Sequence, residues 1–113
     1  MSSFKRILSG SDRGRGIALP FPGTVVIHTV PEGLVDEIDI FIAQTDSAGF
    51  EVSIQMGGTG ASDVRTFVTG DTGAVQIIDG VIIEGIAGGT IIRGSAPSAD
   101  EASVLGFVRR RRA

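Results

Sequence analysis

The chain has 113 residues, 42% hydrophobic and 20% charged, with a formal net charge of −3 and a mean hydropathy of +0.29. That length holds one core and not two, the hydropathy and modest charge exclude disorder of the whole chain, and the absence of cysteine excludes a disulfide framework or a thiolate metal site. Seventeen glycines and four prolines against six phenylalanines, with neither tyrosine nor tryptophan, describe short apolar runs joined by tight turns, which is the composition of an all-β domain.

Residues 1–22 carry Lys5, Arg6, Arg13 and Arg15 against Asp12, and Gly10, Gly14, Gly16, Pro20 and Pro22 interrupt any periodic pattern. No apolar run follows Lys5 and Arg6, so no secretory leader is expected. The segment reads as an extended basic arm that packs when a partner receives it. From Thr24 the pattern changes. Thr24–Val30 is rich in β-branched residues and closes at Pro31-Glu32-Gly33. Leu34–Gln44 alternates, with Ile38, Ile40 and Ile42 on one face, Glu37 and Asp39 on the other, and Asp36 opposite those two acids. After the polar loop Thr45–Gly49, Phe50, Val52, Ile54 and Met56 point inward and Glu51, Ser53 and Gln55 outward, until Gly57-Gly58-Thr59-Gly60 ends the run.

Val64–Val68 and Ala74–Ile78 supply two further strands, and Asp79-Gly80 has the composition of a two-residue hairpin turn into Val81–Glu84. Gly88-Gly89 then turns the chain into Thr90–Ser95. Ser98-Ala99-Asp100-Glu101 matches a helix capping box, but at most one helical turn fits before Gly106, so it reads as a connection. Val104–Arg109 closes the series. The longest apolar stretches, such as Val81-Ile82-Ile83 and Ile40-Phe41-Ile42-Ala43, fall far short of the roughly 20 residues of a membrane span, so a soluble protein made in a cytoplasm is expected. The expected architecture is a single antiparallel β-sandwich of about eight strands, jelly-roll type, with an extended basic arm over 1–22, the sandwich over 23–109 and a basic tail over 110–113.

Charge is segregated along the chain. Residues 1–22 balance at +3 and Arg109–Arg112 add +4, while residues 23–108 hold Arg65 and Arg93 against twelve acids, a balance of −10. Basic extremities on an acidic body suit a subunit that attaches to something acidic. The candidate partner-binding residues are therefore Phe4, Lys5, Arg6, Arg13, Arg15, Arg109, Arg110, Arg111 and Arg112.

Catalytic chemistry has little to work with. His28 is the sole imidazole and sits within a β-branched run, where a strand residue without a catalytic role is the simpler reading. Asp36, Glu37 and Asp39 are close in sequence, as are Asp71 and Asp79 in neighbouring turns. No loop has the spaced oxygen ligands of a calcium site, and a solvated strand face is the preferred reading. Gly57–Gly60 lacks the lysine and helix start of a phosphate loop. Arg13-Gly14-Arg15-Gly16 and the tetra-arginine end have the composition of RNA-binding segments, yet Phe4 and Phe107 alone interleave with them and the acidic body would repel a polyanion. No enzyme, no cofactor and no metal are expected.

The order Val30-Pro31-Glu32-Gly33 at the end of a first strand, an alternating strand from Val52 to the paired Gly57-Gly58, Gly88-Gly89-Thr90-Ile91-Ile92-Arg93-Gly94, and Gly106-Phe107-Val108 in a closing strand resembles small β-sandwich accessory proteins of tailed-bacteriophage virions. The resemblance spans residues 24–109, about three quarters of the chain, and leaves the two basic ends outside it. It implies a non-enzymatic structural role for domains that cluster, often as trimers, on a head, neck or tail. The expectation it supports is a capsid-decorating or cement protein in the virion, with the major capsid protein or other virion proteins as partners, the arm as anchor and the arginine tail as a second contact. The alternatives are a neck or tail component and, in another class, a nucleic-acid-binding module using the basic ends.

Overall fold

The computed structural model describes residues 5–20, 22–44, 50–58, 63–69, 73–96 and 102–112. Alternating β-branched and polar residues form nine strands there, with no α-helix among the described residues: β1 (Lys5–Ile7), β2 (Ile17–Ala18), β3 (Val25–Val30), β4 (Leu34–Gln44), β5 (Phe50–Met56), β6 (Val64–Thr69), β7 (Gly73–Glu84), β8 (Thr90–Ser95) and β9 (Ala102–Arg112). They make two antiparallel sheets. One has the order β1-β9-β4-β7, with β2 also on β9, and the other the order β3-β8-β5-β6.

The pairing is nested. β5 pairs with β6, β4 with β7, β3 with β8 and β2 with β9. The chain is thus one long hairpin whose successive strand pairs alternate between the sheets, and β4–β9 and β5–β8 contacts complete each layer. The alternation along each strand sends one face between the layers. Ile38, Ile40 and Ile42 of β4, Val104 and Val108 of β9, Ile27 and Val30 of β3, Ile92 of β8, and Val52 and Ile54 of β5 are each at most 1% exposed. Burial of each such side chain stabilises the fold by roughly 1.5–3 kcal/mol.

Three expectations change. Residues 5–20 are not a free arm, because Leu8, Ile17 and Leu19 are buried in the core and β1 and β2 pair with β9. The arginine end is not a tail either, since Arg109–Arg112 continue β9 in register with β4, with Arg110 opposite Asp36 and Arg109 opposite Glu37. Cross-strand acids make that arginine run compatible with a sheet. Finally, Asp79-Gly80 is a bulge inside β7 and not a hairpin turn: the register shifts twice between Ile38 and Phe41 of the partner strand while pairing continues on both sides. Gly80 takes the positive φ of 64° that the bulge demands, and its N–H donates to Asp39 Oδ1 at 3.0 Å. Gln76 Nε2 donates to the same oxygen at 2.9 Å. The two extra strands at the start and the merger of two into β7 turn the expected eight into nine. The capping box at 98–101 lies outside the described residues.

Candidate functional site

Residues 5–20 form a strap that joins the two sheets where β9 and β3 approach their margins. β1 lies on β9 with Lys5 opposite Arg109 and Ile7 opposite Phe107. The chain then crosses to the other sheet, where Gly10 N–H donates to Ile27 O at 2.9 Å. It returns to β9 with Ile17 opposite Val104, and Leu19 N–H donates to Ala102 O at 3.0 Å. The crossing requires a residue without a side chain at position 10: a Cβ there would collide with Val26 O and stand 2.6 Å from Ile27 O.

Between the two crossings the strap turns back at Asp12-Arg13-Gly14-Arg15. Arg15 N–H donates to Asp12 O at 2.9 Å, and Arg13 and Gly14 have φ of 57° and 85°. Two successive positive φ values make this a type I′ turn. Glycine adopts that conformation freely, whereas an arginine in it costs about 1 kcal/mol. Arg13 is the sole non-glycine residue with positive φ among the described residues, and its side chain is 90% exposed.

A buried polar chain fastens the strap. In β3 the register slips between Val26 and His28, so the neighbours Ile27 and His28 both turn inward. His28 Nε2–H donates to Asp36 Oδ2 at 2.6 Å, and His28 Nδ1 accepts the Ser9 N–H of the strap at 2.9 Å. The second bond assigns the tautomer, because a nitrogen that accepts carries no proton; the ring is neutral with its hydrogen on Nε2. Ser9 Oγ accepts Thr29 N–H at 2.7 Å. Arg110 completes the chain in a bidentate pair, Nε to Oδ1 of Asp36 at 2.8 Å and Nη2 to Oδ2 at 2.9 Å.

The electrostatics agree with this assignment. Burial pushes the His28 imidazole below its ordinary value; the hydrogen bond and charge of Asp36 oppose that only in part, and the Arg110 charge reinforces it. For Asp36, burial alone would raise the carboxyl, but the hydrogen bonds from Arg110 and His28, with the charge beside it, hold it below the usual carboxylate range. Hydrogen bonding to Asp36 raises Arg110 further. The ring is 1% exposed, and its Nδ1, the nitrogen a hydroxyl nucleophile would use, is occupied by the strap backbone. The arrangement ties four segments together, the strap, β3, β4 and β9, and opens no face to a substrate. Among the described residues there is no group of three or more histidine or acidic side chains placed to hold a metal ion.

The structure brings together most of the residues expected to meet a partner. Pairing of β1 with β9 sets Lys5 and Arg6 beside Arg109, and Arg111 and Arg112 follow along β9. The turn bearing Arg13 and Arg15 sits close to β1, since a Cβ on Gly14 would be 3.4 Å from Ile7 Cγ2. Lys5 Nζ stands 4.4 Å from the centroid of the Phe107 ring, which lies 6.3 Å from that of Phe41. Arg110 separates from this group by facing inward, and Phe4 lies outside the described residues. Arg109 reaches Glu37 and Arg13 reaches Asp12, each at 3.9 Å and solvent-exposed, which contributes little. Lys5, Arg6, Arg15, Arg111 and Arg112 have no carboxylate within 4.0 Å among the described residues.

The Ser9–His28–Asp36–Arg110 chain is not legible in the sequence. One signal pointed to it: alternation in β4 places Asp36 on the isoleucine face, and an inward carboxylate needs a buried partner. No family model, curated protein or solved structure matches the chain.

Proposed function

We propose that the protein is a structural component of a virion, a capsid-decorating or cement protein that binds the outer shell through its basic end and stabilises the head. The sheets β2-β9-β4-β7 and β3-β8-β5-β6, built from nested pairs, read as a jelly roll with β1 added at one end. That architecture serves viral capsid and lectin domains among others, so the fold by itself does not select a function.

One observation carries the reading. Two basic segments from opposite ends of the chain are folded against each other, with Lys5 directly opposite Arg109. Like charges facing across neighbouring strands destabilise a sheet, and an acidic partner surface removes that penalty. Arg13 adds to it, a strained and exposed residue at the tip of the turn, where asparagine or glycine would fit the backbone better. Docking then uses side chains on a pre-ordered strap and not an arm that orders on contact, which lowers the entropic penalty of binding. The partners are the major capsid protein or other virion proteins, with copies of the domain assembling as trimers after synthesis in the host cytoplasm.

The test is binding to heads purified from the virus that encodes the chain. Arg13→Ser/Arg15→Ser removes two cations that support neither sheet, so the melting temperature is expected to hold while affinity falls about tenfold or more and the remaining binding becomes less salt-dependent. Unchanged affinity would overturn the docking role. Labelling of neck or tail instead of head would move the site of action. Binding to duplex DNA that falls steeply with salt, in the absence of any binding to heads, would replace the reading with a nucleic-acid module.

A further inference from the structure

The five-stranded sheet ends in two unlike edges. At one end stand β1 and the turn, with Lys5, Arg6, Arg13 and Arg15. At the other is β7, a 12-residue strand paired on one side only, with Asp79 and Glu84 exposed. Among the described residues seven large hydrophobic side chains are exposed, and six belong to these two ends: Ile7 and Leu105 by the basic edge, Val75, Val81 and Ile82 on β7, and Ile86 just beyond it. Val26 alone lies elsewhere. Apolar surface concentrated on unpaired edges is the usual mark of a surface that is covered in the working state.

We infer that the basic β1 end of one copy receives the acidic β7 end of a second copy, head to tail, so that identical chains close into a ring. Charge selects this arrangement over a two-fold one. Pairing β1 with β1 would set Lys5 and Arg6 against themselves, and pairing β7 with β7 would set Asp79 and Glu84 against themselves. Only the unlike edges are complementary in sign. Length agrees as well. The bulge at Asp79-Gly80 breaks the β7 edge, and the four-residue regular stretch beyond it, Val81–Glu84, is long enough to pair with the three residues of β1. On that stretch Ile82 and Glu84 supply one apolar and one acidic group to meet Ile7 and the Lys5-Arg6 pair. A contact between different patches propagates, and it ends in a closed ring when the rotation per copy permits. The inference specifies the assembly within the function proposed above, giving Lys5 and Arg6 to the neighbouring copy and leaving the exposed turn with Arg13 and Arg15 to the shell; it rests on the two edges alone and needs no shell.

Charge reversal with light-scattering mass measurement tests it. The unaltered chain is expected as an oligomer, about three protomer masses if the trimer holds. Lys5→Glu/Arg6→Glu is expected to reduce it to monomer, and Asp79→Lys/Glu84→Lys likewise. The chain carrying all four changes again has one acidic and one basic edge and is expected to regain the oligomer. Ile82→Ser, at an exposed position, is expected to weaken assembly with the melting temperature unchanged, which separates loss of contact from loss of fold. A monomer at the highest soluble concentration, an oligomer that survives both reversals, or a folded fourfold variant that stays monomeric would each overturn the contact. Arg13→Ser/Arg15→Ser is expected to keep the oligomer while binding heads about tenfold more weakly or worse, so failure of the ring and failure of shell binding are read independently.

Discussion

Each donor in the row from Ser9 through His28 to Asp36 has one acceptor, so the protonation of a single ring governs the hold on the strap. A proton on Nδ1 would face the Ser9 N–H donor to donor. Because the folded imidazole lies below its ordinary value, acidification below about 6.5 protonates the unfolded chain first. Stability is therefore complete above that pH and falls as pH drops, by at most about 1.4 kcal/mol per pH unit, the limit for one proton. Asp36, also lowered, keeps its contribution down to the carboxylate range and loses it only as pH falls through its own folded value. His28 is the one histidine in the chain, so the slope between pH 7 and 5 is attributable. Thermal unfolding followed by circular dichroism is expected to show this slope, and His28→Gln to flatten it while lowering stability at pH 7 by about 1–3 kcal/mol through the orphaned Ser9 N–H. Parallel curves for the two proteins would remove the ring from that role. The inward aim of His28 was not legible in the sequence, because strict alternation from Ile27 sends it outward and only the bulge reverses it.

Where alternation ran unbroken, the elements were legible. Leu34–Gln44 and Thr90–Ser95 form with the expected bounds, and Val52 and Ile54 turn inward as their spacing requires. Two elements departed for separable reasons. Asp79-Gly80 has hairpin chemistry, but β4 runs past it on both sides and Asp39 satisfies the Gly80 N–H, so β7 continues through a bulge. The strap was hidden by its glycines and prolines, which mask the inward Ile17 and Leu19 two residues apart. Each device is expected to fail locally. Asp39→Ala leaves the bulge N–H unsatisfied and is expected to remove about 1–3 kcal/mol, with faster hydrogen exchange confined to the region of Gln76–Ile82. Gly10→Ala introduces the clash with the β3 carbonyls and is expected to speed exchange in residues 8–19 while β7 keeps its protection. Uniform acceleration in both variants would mean that strap and bulge are not independent.

For the molecule as a whole, the segregation of charge was legible and its geometry was not. Basic ends on an acidic middle follow from composition, but no local pattern says that Lys5 and Arg109 become strand neighbours; that is a consequence of closing the nested hairpin. The same closure builds residues 5–20 into the fold. Leu8, Ile17 and Leu19 are buried in it, and Leu19 approaches Gly94, where an added Cβ would stand 3.0 Å from its side chain. Loss of such side chains costs about 2–5 kcal/mol each when they are truncated to alanine, comparable in sum with the whole stability of a small domain. A chain beginning at residue 23 is therefore expected not to fold cooperatively, where a dispensable arm would leave it intact. The strap holds its place through strand pairing and three inward side chains, the terms by which an added strand completes an open sheet, so a peptide of residues 1–22 supplied in trans is expected to restore a cooperative melt. Peptides bearing Leu8→Asp or Ile17→Asp are expected not to. A truncated chain that melts like the full one would return the segment to the status of an arm.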